Sequence, residues 1–512
     1  MNNDSRIKNS TRNAIVGIAG QVFIVFINFF SRSIFIKFLS EDYLGVNGLF
    51  SNILTILSLA DLGLGDAIIY SMYKAIAEKD KKKIKALMNL YSSAYKVIGL
   101  FIAITGVAIV PLLKYIIRDS SGIENLNIIY LMFLTNTVVS YFYAYKRSII
   151  SADQREYINS KYKYTFMFLR SIAQVIILYL TKNYLLYLAI QIIFTILENV
   201  FISIKIDRLY PFIKRGNKEK LDDYEKNSIF SNIKALIIYK ISSALLDGTD
   251  NIIVSSLISV KTVGVLSNYN LIIGSVSMVV CQISSALTAS IGNVVNTEKK
   301  DKQIEIFYLI LFIHFIIYSF TSVCLLMLLN PFITLWIGKN FLFNSSIVVV
   351  LVLNYYIYGM QSVVWTYRST MGLFIYGKFR PVASAIINII VSIILAKYIG
   401  VLGVLLGTTI TRVVTNIWYD PLIIFKHGFK TSIISYYKVY IRYFINLIIM
   451  IIINGILFKI LPVSEGFLSF LLKSLICSIV IIVLIFLMNY KTKEFKYLLN
   501  IFNNIILKIK KR

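Results

Sequence analysis

Charge is scarce in this chain of 512 residues: Asp, Glu, Lys and Arg make up 15% of it, against roughly 25% in an average soluble domain. Acid is scarcer than base, with 25 Asp and Glu to 53 Lys and Arg. Histidine occurs twice and cysteine three times. There is no phosphate-cradling GxxxxGK[ST] loop, no HExxH, no CxxC and no GxSxG elbow, which excludes the common soluble-enzyme chemistries and ATP-driven transport by this chain alone. Cys281, Cys324 and Cys477 lie far apart inside apolar segments without metal-ligand spacing. Free buried thiols are therefore expected, with no disulfide, no metal and no cofactor.

What is present is hydrocarbon. The chain is 57% hydrophobic with a mean hydropathy of +0.74, the balance of an integral membrane protein. A net charge of +28 raises the question of nucleic acid, but the basic residues sit in short runs between apolar segments, where the positive-inside rule explains them better. Nucleic acid is not expected as a partner, whereas anionic lipid headgroups are. The polar start, MNNDSRIKNSTRN, runs into an apolar stretch too long for a signal-peptide core, so it reads as a retained first helix.

Apolar windows near 20 residues give about fourteen spans, near 14–36, 44–73, 91–117, 126–150, 164–181, 185–204, 233–258, 262–292, 305–329, 344–370, 381–398, 401–424, 439–460 and 467–490. The breaks at Lys182-Asn183 and Ile399-Gly400 are so short that each flanking pair must be a tight helical hairpin. With both termini inside, the cytoplasmic segments EKDKKKIK (78–85), 206–227, TEKKDKQ (297–303), YGKFR, FKHGFK and the KIKKR tail, together with their flanks, hold most of the basic residues, and the opposite loops hold few. The longest loop on the other side is expected near 331–343, too little for a catalytic head.

The chain also resembles itself. YLGVNGLFSN (43–52) and the run ending KKKI (81–84) are echoed in TVGVLSNYN (262–270) and EKKDKQI (298–304), and LYP (209–211) in YDP (419–421). The expected organisation is an N-lobe of six helices (1–204), a cytoplasmic interlobe loop (205–232), a C-lobe of six helices (233–424), two additional helices (425–490) and a basic cytoplasmic tail (491–512). Repeats of this kind place a substrate site between lobes. Chance similarity between apolar segments is the competing explanation.

Polar residues recur at helical spacing within the spans. Asn354, Tyr358, Gln361, Trp365 and Arg368 follow at steps of four, three, four and three; Gln21, Asn28 and Arg32 form another stripe, Asn136, Ser140, Tyr143 and Arg147 a third, and Lys240, Ser243, Asp247 and Asp250 a fourth. A charge in hydrocarbon costs about 2.5 to 3.5 kcal/mol even on lenient scales, so these stripes are expected to face a water-filled lumen. Arg32, Arg170, Lys240, Arg368 and Arg412 are its candidate cationic residues; a guanidinium fork suits a diphosphate. An interlobe ion pair such as Arg32 with Asp250 is the plainer alternative.

Lys96, Lys146, Arg147 and Lys473, near span ends, read as snorkelling side chains. Asp247 and Asp250, three apart, can share a proton; with Asp61 and Glu198 they are the candidates for proton or ion coupling, or else they neutralise Lys240. Gly63 and Gly65 in DLGLGD mark a hinge or a close helix packing. Tyr358 and Trp365 suit sugar stacking or core packing, and His314 reads as a structural imidazole.

The run from Ser31, SRSIFIKFLSEDYLGVNGLFSNILTILSLADLGLGDAIIYSMYK, resembles the opening hairpin of Wzx-type oligosaccharide flippases, polysaccharide transporters of the multidrug/oligosaccharidyl-lipid/polysaccharide (MOP) exporter superfamily. The likeness extends along the chain as a fourteen-helix pattern, with YP and YDP at the ends of the sixth and twelfth helices. It implies an all-α integral membrane protein of two six-helix, MATE-like lobes plus two C-terminal helices. It further implies a bacterial cytoplasmic-membrane flippase, not an enzyme, that moves polyprenyl-diphosphate-linked oligosaccharides for capsule, exopolysaccharide or O-antigen assembly. A polysaccharide polymerase and chain-length machinery are then further partners, and Arg32 is the first candidate contact to the diphosphate. A MATE-like multidrug or cation antiporter, a membrane polysaccharide polymerase or ligase, and a non-transporting scaffold are the alternatives.

Overall fold

Runs of Ile, Leu, Phe and Val offer nothing that satisfies backbone polar groups in hydrocarbon, so the backbone must satisfy itself as helix. A computed structural model describes residues 3–58, 64–117, 123–214, 219, 221–222, 248–373, 376–377, 379–460 and 466–500; among them there is no strand. Eleven helices among the described residues are long and apolar enough to cross a membrane, and the chain reads as a multi-pass membrane protein. The expected count of about fourteen includes spans at 44–73 and 233–258 that run through residues outside the described set.

The described residues fall into two compact units, Met1–Ser267 and Asn268–Arg512. The first contains α1 (Asn3–Phe38), α2 (Glu41–Leu57), α3 (Leu64–Ala77), α4 (Lys81–Ile109), α5 (Leu126–Ala152), α6 (Glu156–Thr181) and α7 (Tyr184–Leu209). The division falls within α8 (Val260–Thr297). The second unit continues with α9 (Lys300–Trp336), α10 (Ser345–Thr370), α11 (Arg380–Thr415), α12 (Ile434–Ile460) and α13 (Phe467–Asn489). The expected interlobe loop is described only in part: α7 runs on to Leu209, and Pro211–Lys214 form one further helical turn.

In unit 1, α5 packs on α4 and α7, and α6 on α1 and α7. Two apolar clusters fix these contacts. One gathers Phe35, Leu44, Leu49, Phe50, Tyr130 and Phe133; the other gathers Met72, Leu87, Met88, Tyr91, Ile149 and Ile206. In unit 2, α9 is the central post, with α10, α12 and α13 against it and α11 against α10. Its apolar window is 56% buried and that of α10 is 72% buried, against 17% for α13. Polar residues on α10 therefore cannot all face water.

Both short breaks are the tight hairpins their length requires. Lys182 turns the chain at φ 51°, and the Asn183 side chain caps α7 by accepting from the Leu185 and Leu186 amides at 2.8 and 3.2 Å. Within α11 the helix breaks at Ile399-Gly400, where Gly400 adopts φ 59° and ψ −136°. The arms 380–398 and 401–415 then lie against each other. A Cβ on Gly403 would stand 2.3 Å from the Leu395 backbone and one on Gly407 2.2 Å from Ser392 Oγ, while Asn388 donates to Thr408 at 3.1 Å and Ser384 to Thr415 at 2.8 Å.

Three expectations change. The connection expected between spans 262–292 and 305–329 narrows to Glu298 and Lys299: α8 ends at Thr297, and α9 begins at Lys300 and runs unbroken through Pro331 to Trp336. The expected outer loop near 331–343 shrinks accordingly. Tyr269 donates to Asn330 Oδ1 at 2.6 Å and accepts from the Phe343 amide at 2.8 Å, and Asn330 donates to the Phe343 carbonyl at 3.0 Å, which ties that loop down. The span at 401–424 ends as regular helix at Thr415, and a π-helical turn, Ile424–Phe429, follows the YDP segment.

Candidate functional site

Helices α1 and α6 lie side by side and run the same way. Asn13 accepts from the Tyr157 amide at 2.7 Å, Phe23 meets Phe168 at 5.5 Å and Phe38 meets Tyr179 at 6.0 Å between ring centroids. At Gly20 the approach is closest, since a Cβ there would stand 1.8 Å from the Tyr164 ring. The pair carries matching polar levels. Arg32 follows Gln21 by eleven positions on α1, and Arg170 follows Asn159 by eleven on α6; eleven residues are three turns, so each arginine stands on its partner's face.

At the arginine level, Arg32 Nη1 donates to Ser267 Oγ at 2.8 Å and lies in the electrostatic field of Tyr184 and Tyr187. Arg170 acts on the same Tyr187. Phe35 packs edge-on against both tyrosines at 5.7 and 5.5 Å, and Tyr43 adjoins Tyr184 at 4.8 Å. Among the described residues Arg170 joins no ion pair, and its buried Nε has no hydrogen-bond partner. A half-buried guanidinium without a carboxylate is costly unless an anion reaches it.

At the amide level lies an open cavity of about 430 Å³, lined from α1, α3, α4, α5 and α6. Gln21, Tyr91, Arg147, Glu156, Asn159, Lys163 and Tyr164 line it. Arg147 is matched: Nη2 donates to Glu198 and to Asn199, both at 2.8 Å. Glu156 accepts from Ser151 at 2.6 Å and from Asn159 Nδ2 at 3.0 Å. Asn159 is 7% exposed, and its Oδ1 has no partner, nor has Gln21 Oε1.

The α5–α6 corner is fastened by the YP segment. Tyr210 donates to Asp153 Oδ2 at 2.6 Å, and Arg155 Nε pairs with the same oxygen at 3.0 Å. Burial, and after it the bond to Asp153, holds the Tyr210 phenol well above its ordinary range and so protonated. In unit 2 the YDP segment does the equivalent with donor and acceptor exchanged. Asp420, fully buried, accepts from Arg368 Nη1 through Oδ1, while Oδ2 accepts from Trp365 Nε1 at 3.0 Å and pairs with Arg380 at 3.3 Å. Arg368 also donates to the carbonyls of Leu373 and Tyr376, and Arg380 donates to Asn416. One carboxylate thus holds the α10–α11 corner.

The α10 stripe is accordingly not wet along its whole width. Asn354, Gln361 and Arg368, seven apart, are 9, 1 and 7% exposed. Asn354 bonds the Leu405 carbonyl and the Thr409 hydroxyl of α11. The more open edge is Tyr358, 40% exposed, which meets Trp365 edge-on at 5.3 Å. Arg412 lies over that tyrosine at 5.6 Å and donates to the Asn354 carbonyl at 2.8 Å.

Of the remaining expected residues, Lys240, Asp61, Asp247 and Gly63 lie outside the described set, and Asp250 is half-buried. Asn28 is half-buried one turn before Arg32. A Cβ on Gly65 would stand 2.7 Å from the Tyr91 hydroxyl, so a close packing operates there. His314 is 4% exposed with Nδ1 2.9 Å from the Ile310 carbonyl. Lys146 and Arg147 are not snorkelling ends: Lys146 bonds Asp207 at 2.8 Å, and Arg147 bonds Glu198. Cys477 is buried, Cys324 half-buried and Cys281 exposed, contrary to three buried thiols.

No protein-family model matches the sequence, and no curated protein matches it. Solved structures do. An inward-facing multidrug resistance MATE family transporter of the MOP superfamily superposes with a TM-score of 0.61 at 15% identity, over 81% of this chain and 99% of that one. The lipid II flippase MurJ in an inward closed conformation gives 0.61 at 17% identity, over 92% and 97%. A MOP superfamily transporter from Pyrococcus furiosus, described as having a binding pocket of reversed polarity, gives 0.54 at 16%, over 83% and 97%. At these identities the likeness is one of fold, and this chain has the all-helical fold shared by those MOP-superfamily transporters.

Proposed function

We propose that this chain is a flippase for lipid-linked glycans, moving polyprenyl-diphosphate-linked oligosaccharides from the cytoplasmic to the outer leaflet of a bacterial cytoplasmic membrane. The fold common to the lipid II flippase and the MATE transporters supports a transporter. The observation that carries the anionic substrate is Arg170: a half-buried guanidinium that joins no carboxylate among the described residues and acts electrostatically on the same tyrosine as Arg32. Cationic drugs, the cargo of an antiporter, would be repelled there. A diphosphate would take the paired donors of both forks.

In this reading the chain works by alternating access, both termini are cytoplasmic, and a polymerase receives the glycan outside. A membrane potential negative inside favours outward movement of the anion by about 2.3 kcal/mol per charge per 100 mV. Deleting the gene in its host tests the reading. Loss of surface glycan with normal lipid-linked precursor accumulating inside is the expected outcome, and normal export would overturn it.

A further inference from the structure

The α1–α6 pair carries two polar levels of opposite character, and the arginine level accounts for only one. The other is the cavity bounded by Gln21 and Asn159. Its volume of about 430 Å³ lies within the range of small-ligand pockets, about 300 to 1,000 Å³. Its charges cancel. Glu198 matches Arg147, and the remaining charges on its lining are one of each sign, Glu156 and Lys163, two turns apart on α6.

The unmet groups are acceptors. Asn159 Nδ2 is committed to Glu156 at 3.0 Å, which fixes the amide's orientation and leaves Oδ1 as the atom without a partner. A buried acceptor without a partner, on a residue of the cavity wall, favours a ligand that brings an O–H or N–H. An anion offers neither, and a metal cation would sit beside Lys163 and Arg147. The walls include the rings of Tyr91 and Tyr164, the latter wedged against Gly20. Unpartnered amide acceptors, one carboxylate, one ammonium and aromatic faces suit a neutral ligand dense in hydroxyls.

We infer that this cavity binds a sugar unit, and that α1 and α6 together grade their site from neutral glycan at Gln21 and Asn159 to anion at Arg32 and Arg170. Three helical turns separate the levels by about 16 Å, a distance that a glycan extending from a diphosphate can bridge. The assignment of the anion rests on the flippase reading, whereas the sugar cavity can be tested without it.

The test uses the full purified chain in nanodiscs, with free N,N′-diacetylchitobiose and lactose as neutral probes and inorganic pyrophosphate as the anionic one. Binding is read by saturation-transfer NMR for the sugars and by titration for pyrophosphate. Gln21→Leu or Asn159→Leu is expected to weaken disaccharide binding roughly tenfold, the loss of one or two hydrogen bonds, and to leave pyrophosphate affinity within about twofold. Arg170→Ala is expected to do the reverse.

Should either leucine variant fold poorly, Ser160→Cys, at a further position of the cavity lining, in a chain with Cys281, Cys324 and Cys477 replaced by serine, gives a second measure, since a disaccharide should slow its labelling by maleimide. Disaccharides that neither bind nor slow labelling overturn the proposal. So does pyrophosphate or sodium binding that falls with Asn159→Leu, which would make the cavity an ion site. Normal glycan export in the deletion strain removes the flippase reading but leaves the sugar result to stand by itself.

Discussion

Gly45 and Gly264, each within one copy of the repeated segment, face each other at backbone distance: a Cβ on Gly264 would stand 3.0 Å from the Gly45 nitrogen and 2.6 Å from the Glu41 carbonyl oxygen. A Cβ on Gly45 would in turn stand 1.9 Å from the Val260 carbonyl. The Lys261–Glu41 ion pair at 3.2 Å and the bond from Arg32 to Ser267 flank the crossing. The repeat therefore has a physical use, because a small residue at the same place in both copies lets α2 and the start of α8 touch.

Gly264→Val should destabilise the protein. Overpacking costs about 1 to 3 kcal/mol, and the upper end applies because the obstructing atoms are backbone and cannot swing away. Gly274→Ala, in the same helix with nothing within 4 Å, should leave the melting temperature unchanged or raise it. Thermal unfolding of the detergent-purified protein compares them, and equal melting of the two variants would refute the crossing.

Much of the fold was legible, for reasons of length. Two residues at Lys182-Asn183 or Ile399-Gly400 can join only antiparallel neighbours, whatever the packing. The Gln21, Asn28, Arg32 stripe was legible from periodicity too. Its meeting with Asn159 and Arg170 was not, because periodicity gives the face of one helix and never the register against another. Glu198 and Arg147, 51 positions apart, are joined by the packing of α5 on α7 for the same reason. Asp420 lies within the span expected at 401–424 yet was read only as a letter of the YDP motif, because periodicity names no partner on another helix for a charge near a span's end. The signal was present in the YDP motif and in Arg368, which needed an acid.

On the proposed flippase reading, Arg170→Ala should slow transport without loss of stability. Removing a charge-assisted bond costs about 1.5 to 3 kcal/mol, or roughly ten- to a hundredfold in affinity for the anion. Arg170→Lys keeps the charge but not the fork and should fall between. Translocation of a fluorescent lipid-diphosphate saccharide in proteoliposomes measures this. A wild-type rate for Arg170→Ala, at equal protein in the membrane, would remove the residue from the anion site.

Gly400→Ala isolates backbone strain. Gly400 holds φ 59° and ψ −136°, and a Cβ there would meet nothing within 4 Å, so any cost is conformational. Such backbone positions cost an L-residue about 1 to 3 kcal/mol. The melting temperature should fall accordingly, and the hairpin arms, joined through Asn388–Thr408 and Ser384–Thr415, should stay paired in amide-exchange measurements.

Asp420 decides what Arg368 is for. If the carboxylate is the tie that holds the α10–α11 corner, Asp420→Ala strands the buried Arg368 and takes an ion-pair partner from Arg380, at a cost of about 3 to 5 kcal/mol. Adding Arg368→Met to that variant removes one stranded charge and should restore part of the melting temperature, together with transport. If Arg368 instead leaves Asp420 to meet substrate, Arg368→Met alone should melt like the wild type yet fail to transport, and the double variant should regain nothing. The full engagement of its guanidinium, by Asp420, Leu373 and Tyr376, makes recovery in the double variant the expected result.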